Sequence, residues 1–275
     1  MPSIDIRNPT PSSQAGLSQD RVMSALAAID GIRSARDAAE CLERLFQVTQ
    51  AIDATASLYT VAIPEKGPEM SSITLFACDP GFAQQLFDPG PVQSHPWVRF
   101  ARTHTTPGTG RQVQVRGPSD AAAIDVARAH GFGSYLIVPT VAGAELGRIE
   151  LLCLGKGVHD SFESEDQRIV RMLAGSLAAE LHDWFTLHLR AALQQAARLQ
   201  AQDVQLLALE WEGLGTKEIS LRTGMSVAAV DSRFQRLNQR LNCPSRKASA
   251  RRAAEHGLLG AARHCAAPVS PLSAR

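Results

Sequence analysis

The chain has 275 residues, 44% of them hydrophobic and 20% charged, which excludes a disordered chain and gives at least one sizeable core with material for a second. No apolar run approaches the roughly 18–20 residues that span a bilayer, and residues 1–14 lack the basic and apolar regions of a signal peptide, so a cytoplasmic protein with no membrane partner is expected. The net charge of +1 hides a division: residues 196–275 hold 12 Lys and Arg against 6 Asp and Glu, a surplus of +6, and the remainder is −5, as in an acidic body joined to a polyanion-binding module.

Residues 1–16 are rich in Pro and Ser and read as a flexible tail. Val22, Leu26, Ile29 and Ile32, then Ala39, Leu42, Leu45 and Phe46, have the spacing of two amphipathic helices. Ala56–Ile63 and Ser72–Cys78 read as strands, closed by Pro64 and Asp79-Pro80-Gly81. A Pro- and Gly-rich stretch surrounds a short helix at Val98–Thr103, and Ala121–His130 reads as a helix stopped by Gly131. Tyr135–Val141 and Arg148–Leu154 flank a Gly143…Gly147 turn as in a hairpin. A long helix begins near Glu165, with Ile169, Leu173, Leu177, Leu181, Phe185, Leu189 and Leu193 as its stripe. This order fits an antiparallel sheet between helical layers.

No strand pattern occurs between Leu199 and Leu259. Leu206, Leu207 and Trp211 form an apolar face ending at Gly213. Thr216 reads as an N-cap for a short helix opening on Lys217-Glu218-Ile219, and Ser226 caps the next after the Gly224-Met-Ser226 break. Val230, Phe234, Leu237 and Leu241 make the buried stripe of that helix, and Arg233, Arg236 and Arg240 a separate cationic face. A last helix runs from Arg246 to His256 and stops at Gly257. A short helix, a glycine turn and a helix with an arginine face have the geometry that enters a DNA major groove.

The elements EGLGTKEI, the GMS turn, Val230, Leu237, Arg240-Leu241, Ser245-Arg246 and His256-Gly257-Leu258 resemble the DNA-binding domain of LuxR-type transcription regulators over about 60 residues. The resemblance implies double-stranded DNA as partner, a homodimer, and DNA contacts from Lys217, Ser226, Ala229, Ser232, Arg233, Arg236, Arg240 and Arg246. The family usually has Thr-Val-Lys-x-His in its recognition helix; here it is Ala229-Val-Asp-Ser-Arg233, with Arg236 where Asn is usual. Asp231 would repel phosphate, so a consensus operator is not expected. The long stripe Ile169–Leu193 and the final helix are the expected dimer contacts.

Upstream, GFGSYLIVPTVAGAELGRIELL and PGFAQQLFDPGPVQSHPWVRFAR resemble the acyl-homoserine-lactone-binding domain of quorum-sensing regulators. That family lines its pocket with a Trp, a Tyr four residues later and an Asp thirteen after the Trp; this chain has Phe82, Leu86 and His95. Cys78 replaces a pocket Tyr, Tyr135 stands where Gly is common, and Glu150 where Ser is common. Phe82 has no N–H for a lactone carbonyl. The expected pocket set is therefore Cys78, Phe82, Leu86, His95, Trp97, Tyr135 and Glu150, with Phe82, Trp97 and Tyr135 filling space and Glu150 on the solvent face of an edge strand.

The five cysteines (41, 78, 153, 243 and 265) form no CxxC pair, and His159, His182 and His188 lack ligand spacing, so neither a disulfide scaffold nor a metal is expected. No catalytic grouping stands out, and neither enzyme activity nor a cofactor is expected. The expected fold class is α+β: an N-terminal α/β/α sandwich with an antiparallel sheet, then an all-α helix-turn-helix domain. The segments are a tail at 1–16, an autoinducer-binding-like domain at 17–190, a linker at 191–198, the DNA-binding domain at 199–260, and a tail at 261–275. The reading is a solo LuxR-type regulator acting without lactone, with a non-lactone small molecule or none as ligand. Two alternatives stay open: a true lactone receptor with unusual pocket residues, and a partner-binding dimerisation protein.

Overall fold

The computed structural model describes residues 17–65, 69–86, 91–140, 148–157, 161–163 and 167–259. Both expected tails, the Gly143…Gly147 turn, His159 and Cys265 lie outside the described residues.

Two helices open the fold, α1 (Gln19–Ile32) and α2 (Ala38–Ala51). Asp37 caps α2 by accepting from the Ala39 and Glu40 amides. The buried stripes differ from those read in the sequence. Ala25 and Ala28 face the core where Leu26 was expected, Cys41 and Val48 join Leu45, and Leu26 and Phe46 are exposed. Alanine carries little apolar surface, so Ala25 and Ala28 did not stand out in the apolar pattern.

The sheet comprises β1 (Ala56–Pro64), β2 (Met70–Ala77), β3 (Gly108–Thr109), β4 (Ser134–Thr140) and β5 (Ile149–Lys156). Its order is β2-β1-β5-β4-β3, with every pairing antiparallel. Alternation along each strand splits the side chains between two cores. Tyr59, Val61, Leu136, Val138, Leu152 and Leu154 face α1, α2 and the long helix α6 (Arg168–Ala196). Leu58, Tyr135, Ile137, Leu151 and Cys153 face α3 (Pro80–Gln85), α4 (Pro96–Thr103) and α5 (Pro118–Ala129). Two helical layers thus enclose one sheet, and both faces are buried, which explains the nearly unbroken apolar runs in β1, β4 and β5.

The α6 stripe does not form a free surface. Leu173, Leu177, Leu181, Phe185, Leu189 and Leu193 are all buried within this chain, and of the stripe only Ile169 is exposed; the final helix, the other expected contact, exposes Lys247 and Arg251. Nor is there a separate linker at 191–198: α6 continues to Ala196. Leu189 belongs to the core of the sandwich and Leu193, one turn on, to the core of the C-terminal helices.

Those helices are α7 (Ala201–Trp211), α8 (Thr216–Thr223), α9 (Val227–Arg240) and α10 (Arg246–Glu255). Thr216 is the first residue of α8, not its cap; the Gly215 amide instead donates to Glu218 Oε2 at 2.7 Å. Gly224 ends α8 at φ 68°, a left-handed conformation that other residues adopt only at a cost. Ser226 then caps α9 by accepting from the Ala229 amide. Ile219, Val230, Phe234, Leu237, Ala250 and Leu258 close the small core between them.

Candidate nucleic-acid interface and ligand pocket

α9 is held to its neighbours by one buried carboxylate. Asp203 on α7 accepts from Arg233 Nε at 2.7 Å through Oδ1 and from Arg240 Nη2 at 2.7 Å through Oδ2. Arg233 also donates to Gln202 Oε1, and Arg240 to the Arg198 carbonyl. Burial raises the Asp203 carboxyl, but the Gln200 amide, Arg240 and Arg233 outweigh it, so its pKa lies below the ordinary carboxylate value. Arg246 pairs with Glu210 at 3.0 Å, donates to Thr216 Oγ1 at 2.6 Å and lies over the Phe234 ring. Three of the expected DNA-contacting arginines therefore brace the helices against each other.

Arg236 and Ser232 project from the opposite, exposed side of α9, Lys217 is exposed on α8, and Ala229 is half-buried. Gln235 and Gln239 were not singled out in the sequence, yet with Ala228 they complete this exposed face. The signal was present: residues 228, 232, 235 and 239 have helical spacing directly opposite the stripe Val230–Phe234–Leu237–Leu241. The face is polar, narrow and carries both Gln and Arg, side chains able to form paired hydrogen bonds with adenine and guanine edges.

The second candidate site lies beneath α3, α4 and α5. Six of the seven expected pocket residues meet there. Phe82, Leu86, Trp97 and Tyr135 belong to one buried cluster, with the half-buried Cys78 packed against it and His95 alongside. Phe82 and Phe132 have ring centroids 5.1 Å apart, Trp97 and Phe132 5.2 Å, and Trp97 and Tyr135 5.2 Å. The rings occupy one another's faces and edges as in an ordinary aromatic core. Beside Leu86 and His95 a half-open hollow of about 20 Å³, also lined by Ser94, Ser119 and Asp120, is on the scale of one water.

Phe132, which the sequence reading passed over, stands in the middle of these rings. His95 caps α4: its Nδ1 accepts from the Trp97 amide at 3.3 Å, so the neutral ring carries its proton on Nε2. That Nε2 is buried and has no hydrogen-bond partner among the described residues. Burial, and then the Arg99 charge, push the imidazole pKa down to about 4, so the ring is neutral at physiological pH. Burial pushes the Tyr135 hydroxyl and the Cys78 thiol each up to about 12; neither is ionised there.

Glu150 is the exception. β5 is a central strand, not an edge, and Glu150 alternates with Leu151 onto the face toward α6. It is fully buried there and cannot line the aromatic pocket. Tyr59 Oη donates to its Oε2 at 2.5 Å, and His182 Nδ1 lies 2.9 Å from the same oxygen. Arg148 pairs with Oε1. The Tyr59 hydroxyl is pushed well above its ordinary pKa by burial and then by the Glu150 charge. Arg148 reaches onward, to Thr186 Oγ1 on α6 at 2.9 Å and to the Glu255 carbonyl of α10 at 3.2 Å. A buried ionic cluster thus ties the sheet to the C-terminal helices. Gly257 just beyond has φ 73°, and a Cβ there would lie 2.6 Å from Thr186 Cγ2, so this docking needs glycine twice over.

The architecture is that of an α+β protein with a C-terminal helical domain, and it matches solved structures. The crystal structure of Escherichia coli SdiA aligns with a TM-score of 0.63 at 12% identity, covering 86% of this chain and 97% of that one. SdiA in complex with octanoyl-rac-glycerol aligns with a TM-score of 0.61 at 12% identity, over 88% and 98%. CepR2 from Burkholderia cenocepacia, described as an N-acylhomoserine lactone dependent LuxR family transcription factor, aligns with a TM-score of 0.50 at 14% identity, over 60% and 95%. At these identities the likeness is one of fold. No protein-family model matches the sequence, and no curated protein does. No helix among the described residues is long and apolar enough to cross a membrane.

Proposed function

We propose that this chain is a DNA-binding transcription regulator of the LuxR type, working in the cytoplasm without enzymatic activity, whose lactone pocket has become an aromatic core. The observation that carries the reading is α9, fixed along one side by Asp203 and presenting Ser232, Gln235, Arg236 and Gln239 to solvent on the other. That is the placement a groove-reading helix requires. Within this reading Arg236 and Lys217 contact DNA, while Arg233, Arg240 and Arg246 orient the helix that does so. In fluorescence anisotropy across a salt series, Lys217→Ala is expected to lower the salt slope by about one unit if Lys217 meets phosphate. Arg236→Ala is expected to cost about 1–3 kcal/mol if it reads a base. Unchanged binding in both variants at every salt concentration would overturn this docking.

The pocket's own side chains favour action without an acyl-homoserine lactone. Burying Phe82, Trp97, Phe132 and Tyr135 against one another stabilises the apo fold directly, at about 1.5–3 kcal/mol for each fully buried large side chain. The protein is expected to be soluble when made without lactone, and its Tm to stay put with lactones of short, medium and long chain. A saturable, stereospecific rise would instead establish the true-receptor alternative. A small molecule other than a lactone is the second reading. His95 Nε2–H, buried with no acceptor among the described residues, favours it, and the SdiA complex with octanoyl-rac-glycerol is an instance of this fold holding a non-lactone molecule.

Reading two half-sites calls for a homodimer. With the rest of the α6 stripe committed to the chain's own cores, the partner is met by the exposed Ile169 and Leu187 of α6 and by the exposed side of the final helix. Sedimentation at micromolar concentration is expected to give a dimer; a monomer both alone and with DNA would refute it.

A further inference from the structure

Beyond the DNA-binding reading, we propose that the N-terminal domain carries a second small-molecule site, separate from the aromatic pocket, that takes an oxyanion-bearing metabolite with a flat organic body. The site is a groove of about 390 Å³ over the outer face of α4 and the segment 112–116. This volume lies within the roughly 300–1,000 Å³ of small-molecule sites.

The sequence concentrates charge here. From Pro91 to Ser119 there are four arginines and no Asp or Glu, in a part of the chain whose net charge is negative. The fold directs three of those arginines, Arg99, Arg102 and Arg116, to the groove, and no carboxylate lines it.

Arg99 is structural. It grips Asp120 with both nitrogens and donates to the Gln114 carbonyl at 3.1 Å, which ties α4 to the opposite wall. Asp120 is fully engaged: Arg99 first, and then the Arg116 amide, hold its carboxyl down at about 2 despite some desolvation. Arg102 and Arg116 form no ion pair among the described residues. The polar contacts of their guanidinium groups are the Met70 sulfur at 3.7 Å and Gln114 Oε1 at 3.3 Å. Both line the groove, Arg102 from α4 and Arg116 from the segment that follows it, and a guanidinium group can present a planar fork to an oxyanion. In the same lining the exposed His104 ring stacks on the buried Phe100 ring at 4.0 Å with an interplanar angle of 8°, which leaves the outer face of His104 for a flat ligand.

This groove is not the aromatic pocket reached from outside. Trp97 and Arg99 lie on opposite sides of α4: Trp97 packs into the sheet-side core, and Arg99 and Arg102 look away from it.

Titration calorimetry of the full chain tests the site with four probes: adenosine monophosphate, phthalate, adenosine, and a short DNA duplex. Saturable binding is expected for adenosine monophosphate, phthalate or both, with none for neutral adenosine. Which of the two binds tells a phosphate ligand from a carboxylate one. Arg102→Ala with Arg116→Ala should weaken that binding by about tenfold or more, with the Tm unchanged because both side chains are exposed. The Lys pair at the same positions should recover part of it. The proposal is overturned if neither anion binds saturably, if the double Ala variant binds as well as the parent, or if only the duplex binds. Lactone insensitivity and operator binding are read separately, so this site can fail while the regulator reading stands, and the reverse.

Discussion

Asp203→Ala is expected to destabilise the C-terminal helices by about 3 kcal/mol, near the lower end of the range for breaking a buried ion pair because Arg233 and Arg240 keep some contact with water. The carboxylate is 2% exposed and the two guanidinium groups 24% and 35%. Removing it leaves both cations without their counter-charge, with only the Gln202 and Arg198 oxygens as acceptors, and the Gln200 amide without its acceptor. Hydrogen exchange of the α7 and α9 amides is the measurement; a loss under about 1 kcal/mol would show that the helices do not depend on this clamp. The pH dependence has a definite sign. A carboxyl whose pKa falls on folding adds stability above its unfolded value, near 4, and that stability fades as acid carries the pH down through the folded value. The Ala variant should lose this acid sensitivity. DNA affinity should fall with it, although Asp203 itself faces away from the exposed side of α9.

Glu150→Ala is the other large effect, expected to cost about 3–5 kcal/mol because it strands the Arg148 guanidinium inside the protein. Glu150 has no side-chain exposure and Arg148 has 4%. Tyr59 and His182 lose their acceptor at the same time. A thermal melt should show a large fall in Tm, and α10 should exchange faster, since Arg148 also holds the Glu255 carbonyl. The double variant Arg148→Met with Glu150→Leu removes the charge along with its partner, and should regain much of the lost stability. If it is no better than Glu150→Ala alone, the cost lies in packing and not in the unpaired charge.

The strands and most helices were legible because buried runs and capped, periodic segments write themselves into one dimension. Ser226 as a cap, Gly224 as a break and the α9 stripe all stand where the residues put them. What the chain order could not show was which faces meet. Arg233 and Arg240 read as a free cationic face because their acceptor, Asp203, lies 30 and 37 positions away on another helix. Glu150 read as a solvent-facing edge residue because the strand order, which puts β5 between β1 and β4, is decided by long-range pairing. The aromatic pocket was more accessible: Phe82, Trp97 and Tyr135 could be recognised as space-filling, while Phe132 at their centre could not be told from any other apolar residue.

The continuity of α6 has a mechanical consequence. Because one unbroken 29-residue helix contributes Leu189 to one core and Leu193 to the other, the two bodies share an axle instead of a tether. Each residue of an α-helix sets about 100° of rotation and 1.5 Å of advance. The angle between the sheet and the exposed side of α9 is therefore fixed by the number of residues between those two leucines. A single residue added there would swing that side by more than a quarter turn and pull Arg148 off the end of α10. Seven added residues, close to two full turns, would bring it back to nearly the same bearing about 10 Å further out. Orientation in this molecule is counted in residues, much as the phase of a screw is counted in threads.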